Sequence, residues 1–198
     1  MSEEIVLREL SAPPVDEGEI LRYARAGGDR EANEPHLRAC LAEALPLMSY
    51  RAVYRVYPIR RDADGLDLGF ARTNASSLIR HLADCDRVIL LAVTVGIGID
   101  RLLLRYKRIS PAKAWMLDAI GNERVESLAD ALTEELKEKY GALTSRFSPG
   151  YGDLPLSLQK DIFAALPLGK HLGLCLSEGL LITPEKSVTA LIGIKRVE

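Results

Sequence analysis

Residues 52–70 read AVYRVYPIRRDADGLDLGF. Apolar and polar side chains alternate on both sides of Asp64 and Gly65, a dipeptide that supplies the positive φ angles a two-residue hairpin turn requires. The stretch therefore predicts a β-hairpin. A hairpin with helices before and after it argues for an α+β chain and against strict β-α-β alternation.

Working outward, residues 16–26 (DEGEILRYARA) read as a short helix stopped by Gly27 and Gly28. Residues 30–45 read as a second helix with Leu37, Cys40, Leu41 and Leu45 on one face. Downstream, Asn74 is placed to N-cap a helix over ASSLIRHLADC. The following RVILLAVTV is apolar almost throughout, as expected of a central strand buried on both faces. Ser110 and Pro111 start a long helix, because Pro at the first helical position has no N–H to leave unsatisfied. Ala114, Leu117, Gly121, Val125, Leu128, Leu132 and Leu136 recur in steps of three and four until Gly141 supplies a C-cap. Residues 155–166 suggest another helix. Residues 172–194 (LGLCLSEGLLITPEKSVTALIGI) suggest two or three strands, broken by turns at Glu178 with Gly179 and at Pro184 with Glu185. With no repeat or linker-like composition shift, the expectation is one domain over residues 1–198: an antiparallel or mixed sheet with hairpins, flanked by helices, around one long core helix.

The 198 residues are 47% hydrophobic and 27% charged, with net charge −2. That is an ordinary globular composition, with no broad basic surface to neutralise nucleic-acid phosphates. The acidic start MSEEIVLREL has no apolar h-region, and no apolar run reaches the 18 residues that a bilayer span needs. A cytoplasmic protein with neither nucleic acid nor membrane as partner is expected. Three widely spaced cysteines (Cys40, Cys85, Cys175) and three scattered histidines disfavour a disulfide framework and a zinc cluster. His81 and Cys85 stand four apart, yet two ligands do not make a zinc site.

Three other features invite functional readings. ILLAVTVGIGID runs into Gly96 and Gly98 like a nucleotide-binding loop, but the third glycine is missing and no parallel β-α-β unit surrounds it. A strand-to-helix turn, with Asp100 as N-cap of RLLLRYKR, explains it better. In TSRFSPGYGDLP (144–155), residues 148–151 fit a type II turn, with Pro149 fixing φ and Gly150 supplying positive φ. Arg146 and Tyr151 flank that turn, and the N–H groups of Gly152 and Asp153 would open the next helix, where its dipole favours an anion. Physics alone leaves open a ligand site or a surface turn with a solvated arginine. Glu126, aligned with Asn122 and Asp130 beside the apolar stripe and near the small Ala119 and Ala129, reads by itself as a solvated face.

Taken together, RFSPGY, the preceding VESLADALTEEL and the following LGLCLSEGLLITPEKSV resemble, over residues 111–194, the activation (reactivation) domain of cobalamin-dependent methionine synthase. The resemblance implies an S-adenosylmethionine groove in which Arg146 meets the amino-acid carboxylate and Glu126 the ammonium. Pro149, Gly150 and Tyr151, with the backbone of Gly152 and Asp153, would line the nucleoside portion. A planar guanidinium suits a carboxylate and a carboxylate suits an ammonium. Two departures stand out. PGYGDLP replaces the family's P-G-Y-P-A-C-P, introducing Asp153, and Ile192 stands where the full-length enzymes carry an aromatic.

No segment resembles the cobalamin-, homocysteine- or folate-binding modules. The resemblance thus implies a free-standing accessory protein that supplies the methyl donor for reductive reactivation of cobalamin carried by a separate methionine synthase or related corrinoid protein. An electron donor such as flavodoxin would be a further partner. No side chain is assigned a catalytic or metal-binding role. The alternatives are a stand-alone S-adenosylmethionine-dependent methyltransferase, which needs its own acceptor site and base, and a non-catalytic adaptor that docks to a corrinoid protein.

Overall fold

The computed structural model describes residues 3–26, 30–63 and 65–196, Arg30 by its backbone alone. A four-stranded antiparallel sheet organises them: β1 (Val6–Glu9), β2 (Arg51–Pro58), β6 (Cys85–Thr94) and β9 (Ser187–Lys195), in that spatial order. β6 pairs with β2 from Arg51↔Thr94 to Pro58↔Arg87, and with β9 from Cys85↔Lys195 to Thr94↔Ser187. Its side chains alternate between two cores. Ile89, Leu91 and Val93 face α1 (Glu17–Tyr23), α2 (Arg30–Ala44), α4 (Gly98–Ile109) and α5 (Pro111–Tyr140). Val88, Leu90 and Ala92 face α3 (Ser76–His81), α6 (Gln159–Ala165) and α7 (Leu168–Leu172). Helices on both faces explain why an antiparallel strand reads as an unbroken apolar run. Each such side chain taken out of water contributes about 1.5–3 kcal/mol.

The hairpin exists but is short. β3 (Arg60–Asp62) and β4 (Gly65–Asp67) pair with Asp62 opposite Gly65, and β5 (Arg72–Thr73) completes a separate three-stranded sheet. Gly65 has φ +117°, as the turn demands, while Asp64 lies outside the described residues. The alternating run before the turn is not the hairpin's arm: β2 belongs to the main sheet. Pro58 has no N–H to donate to a ladder, so the strand ends there and the chain bends away.

Both helix boundaries of α5 agree with the sequence. It spans 30 residues, with Pro111 at its start and Gly141, φ +82°, donating to Lys137 O at its end. The stripe from Ala114 to Leu136 is buried, and Gly121 lies beneath Lys186, whose Cγ would sit 2.9 Å from a Cβ at that position. α1 ends at Tyr23 with Ala24 as its C-cap and Arg25 at φ +51°, and the expected stop at Gly27 and Gly28 lies outside the described residues. Residues 45–47 leave α2 as a 3-10 turn.

Gly96 (φ +81°) and Gly98 serve the strand-to-helix turn: a Cβ on Gly98 would meet Leu47 O at 2.1 Å. Asp100 is not the N-cap of α4, which starts at Gly98. It sits in the first turn, where Oδ2 accepts from Glu185 N at 2.7 Å and burial raises its carboxyl pKa. The helix expected over 155–166 is a 3-10 turn, Leu156–Leu158, leading into α6, and α7 follows unforeseen. β7 (Cys175–Leu176) and β8 (Ile182–Thr183) form the small hairpin whose loop holds Glu178 and Gly179. Among the described residues no helix is long and apolar enough to cross a membrane, and no three His, Cys, Asp or Glu side chains group as a metal site.

Candidate functional site

After Gly141 the chain does not loop freely but runs antiparallel along the outer edge of β9. Lys195 N donates to Ala142 O and Thr144 N to Gly193 O, both at 2.9 Å. Phe147 and Leu191 exchange two hydrogen bonds of 2.9 and 2.8 Å. The pairing covers a sheet edge that would otherwise expose its ladder. It also fixes Arg146 between two anchored neighbours, because Ser145 O accepts from His81 Nε2 at 2.8 Å. Gly193 leaves room on both sides: a Cβ there would meet Thr144 Cγ2 of this segment at 3.1 Å and Cys85 Sγ of β6 at 2.4 Å.

Arg146 reaches across to α5. Its Nη2 lies 2.7 Å from Glu126 Oε2 and its Nη1 2.6 Å from Asp130 Oδ1. The two carboxylates are one helical turn apart, so the planar guanidinium bridges both. Arg146 is 21% exposed, at the base of a groove of about 490 Å³ whose lining also includes Thr133, Leu143, Ser148, Tyr151 and Val188. Tyr23 of α1 has its phenol pKa raised by burial and then by the Glu126 charge, which places its ring within electrostatic reach of that carboxylate.

The turn over residues 148–151 is present. Tyr151 N donates to Ser148 O at 3.1 Å, Gly150 has φ +93°, and Ser148 Oγ is tied to Thr189 O at 2.8 Å. Pro149 is buried beneath it, while Tyr151 is 60% exposed, edge-on to Phe147 with ring centroids 6.1 Å apart. A Cβ on Gly150 would meet only Leu156 Cδ1, at 3.6 Å, so the backbone angle and not crowding demands glycine. Gly150→Val should therefore disturb the turn locally: a left-handed β-branched residue costs about 1–3 kcal/mol of strain. The expected outcome is ligand affinity reduced more than thermal stability, read by calorimetry beside a melting curve. A variant that binds like the parent would show that the turn does not position Tyr151.

Gly152 and Asp153 turn away from the groove. Gly152 has φ +55° and abuts Ser77, and Asp153 N donates to Ser77 Oγ at 3.1 Å. The Asp153 carboxylate accepts from Ser76 N (2.6 Å), Ser76 Oγ (2.8 Å), Ser77 N (3.0 Å) and the Ser77 hydroxyl, capping α3 from 77 residues away. Asn74 therefore does not cap α3, and these two N–H groups do not open a helix for an anion, since the next helical turn begins at Leu156. Donors to the charged form, led by the Ser77 hydroxyl, hold the Asp153 carboxyl well below the usual carboxylate range. A depressed folded-state pKa gives stability that is present above the unfolded value of about 3.9 and lost as pH falls through the lower folded value. Asp153→Ala should thus lower the melting temperature by a constant margin from neutral pH down to about pH 5, the margin closing only in strong acid. Equal melting temperatures at neutral pH would refute the cap.

Glu126, Arg146 and Tyr151 are thus brought to one groove, Tyr151 by the turn that Pro149 and Gly150 build. Asp130, seen in the sequence only as a neighbour of Glu126 on a polar flank, joins them. Ile192 does not: it is 0% exposed and packs into the α5 core, so nothing at that position lines the groove.

No family model matches the sequence, and no curated protein matches it. Among solved structures, the MetH reactivation domain bound to AdoHcy matches 98% of this chain and 79% of its own, with TM-score 0.72 and 17% identity. The chain has the fold of that reactivation domain. At this identity the likeness extends over the N-terminal third as well, including strands and helices outside the RFSPGY region. In this chain the groove lies between the middle of α5 and the segment that edges β9.

Proposed function

We propose that this chain binds S-adenosylmethionine in the groove of Arg146 and serves, in trans, the reductive reactivation of cobalamin held by a methionine synthase or related corrinoid protein. The observation that carries the reading is the charge pattern at Arg146. One guanidinium and two carboxylates converge beside an exposed tyrosine, matching the carboxylate, ammonium and nucleobase of the ligand. The neighbour of like fold that holds AdoHcy, the demethylated form of the same ligand, supports it.

Bound S-adenosylmethionine would supply a sulfonium methyl group. The chain's own residues would orient it, Arg146 exchanging a carboxylate partner for that of the ligand while Glu126 and Asp130 receive the ammonium. Tyr151 would present its ring to the nucleoside. Among the described residues that line the groove, Lys137 on its rim is paired with Glu134 at 2.6 Å, and Glu126 and Asp130 are both engaged by Arg146. Carboxylates held in ion pairs suit binding of the methyl donor better than proton abstraction from an acceptor, which favours an accessory over a complete methyltransferase. The cobalamin and the electron would come from separate proteins, and such a role belongs in the cytoplasm, where free thiols such as buried Cys40 and Cys85 persist.

Calorimetric titration with S-adenosylmethionine and S-adenosylhomocysteine tests the site. Cobalamin remethylation by a methionine synthase lacking its own reactivation domain, with and without this chain and a reductant, tests the role. Binding of neither nucleoside would end the reading. Binding without any stimulation of remethylation would end the role in trans.

A further inference from the structure

Helix α4 presents a face that the groove at Arg146 does not use. Its exposed positions are Arg101, Leu104, Arg105, Lys107, Arg108 and Ile109, four cations and two large aliphatics in a chain of net charge −2. Among the described residues Arg101, Lys107 and Arg108 form no ion pair within 4 Å. Leu104 is 67% exposed, and beside it a concavity of about 540 Å³ opens between α4 and the β7–β8 hairpin, walled by Leu103, Leu156, Leu180, Leu181 and Ile182, with Asp100 and Glu185 also in its lining. Leu181, 70% exposed, forms its outer lip. Across Leu103 and Lys107 the surface continues to the exposed ring of Trp115, whose Nε1 donates to Ala24 O. A contiguous apolar strip rimmed by unpaired cations marks an interaction surface.

We infer that this face docks a protein partner whose contact surface is acidic and carries a protruding apolar side chain. Resting on the proposed function for the partner's identity, we assign it to the corrinoid-carrying protein. Charge decides the first part: Arg101, Arg105, Lys107 and Arg108 outnumber Asp100 and Glu185, the carboxylates that line the concavity, so the face attracts an anionic surface and raises its rate of encounter. Shape decides the second, because the concavity can seat a side chain as a flat membrane surface cannot. Position decides the identity. Leu156 lines the concavity and lies against Gly150 of the candidate turn. A partner covering the concavity would therefore abut the turn that carries Tyr151 to the Arg146 groove.

The test uses the full chain and a cobalamin-loaded methionine synthase lacking its own reactivation domain, with binding followed by biolayer interferometry at low and high salt. The parent should bind, more weakly as salt rises. Leu104→Asp, and separately Arg101→Glu with Arg108→Glu, should each weaken docking at least about tenfold, as expected of residues central to a contact. Both variants should retain parental S-adenosylhomocysteine affinity, since neither position lines that groove. Unchanged docking by the variants overturns the inference. So does a parent that binds S-adenosylhomocysteine but not the synthase, in which case the ligand site stands alone. A parent that binds neither removes the functional reading and the inference with it. Self-association abolished by Leu104→Asp, or capture by anionic vesicles, without synthase binding would assign the face to a second copy or to lipid and overturn the inference as well.

Discussion

Arg146→Ala is expected to weaken S-adenosylhomocysteine binding about 10- to 100-fold, the factor set by losing a charge-assisted hydrogen bond of about 1.5–3 kcal/mol. Adenosine, which lacks the amino-acid end, should bind the variant almost as it binds the parent. The fold should be little affected, because Arg146 contributes to the edge of β9 through its backbone neighbours Ser145 and Phe147, and its side chain makes partly exposed ion pairs of small net worth. Removing it also leaves Glu126 and Asp130 as an unbridged like-charge pair one turn apart, which repels the carboxylate of the ligand's amino-acid end. Arg146→Lys should rescue only in part, since an ammonium cannot face a carboxylate bidentately while still touching α5. Equal losses for the nucleoside and the amino-acid-bearing ligand would mean that Arg146 shapes the segment and grips nothing.

The parts of this site that were legible in the sequence are those governed by local rules. Pro149 and Gly150 encode their turn because φ at each position is dictated by the residue itself, and Ser110, Pro111 and Gly141 mark the long helix for the same reason. Glu126 could be placed on a face of α5 by period alone, but its meeting with Arg146 depends on residues 142–147 running along β9. That pairing leaves little trace in the sequence, since an edge segment with only isolated bridges carries no alternation. The position of β2 was obscured in a related way. Its alternation continues smoothly into the hairpin, and only Pro58 separates the strand of one sheet from that of another.

Asp153 illustrates the limit from the other direction. Asn74 stands where a local cap is expected, yet the donors of Ser76 and Ser77 are taken by a carboxylate distant in sequence, a choice that no short-range rule can anticipate. Asp153 is thereby explained as a fold contact. It joins α3 to the turn that carries Tyr151 and so steadies one wall of the candidate site.

Arg124→Met should produce the largest loss of stability, about 3–5 kcal/mol, or roughly 6–20 °C in melting temperature for a chain of this size. Arg124 is 0% exposed. Its Nη1 and Nη2 donate to Pro13 O and Pro14 O at 2.6 Å each, and it is doubly bonded to Glu123, itself 1% exposed. Glu123 in turn accepts from Ser127 Oγ at 2.7 Å and Asp16 N at 3.1 Å. The pair therefore clamps the segment leading into α1 onto the middle of α5, one turn from Glu126. Removing the arginine leaves a buried carboxylate without its counter-charge and two prolyl carbonyls without donors, which is the expensive way to break a buried pair. Replacing both residues, Glu123→Leu with Arg124→Met, eliminates the stranded charge, so the double variant should lose distinctly less than the sum of the two single ones. Thermal melts of the three variants decide it: additive losses, or an Arg124→Met melt within about 2 °C of the parent, would mean that the pair is not coupled and that the segment is held onto α5 by its apolar contacts alone.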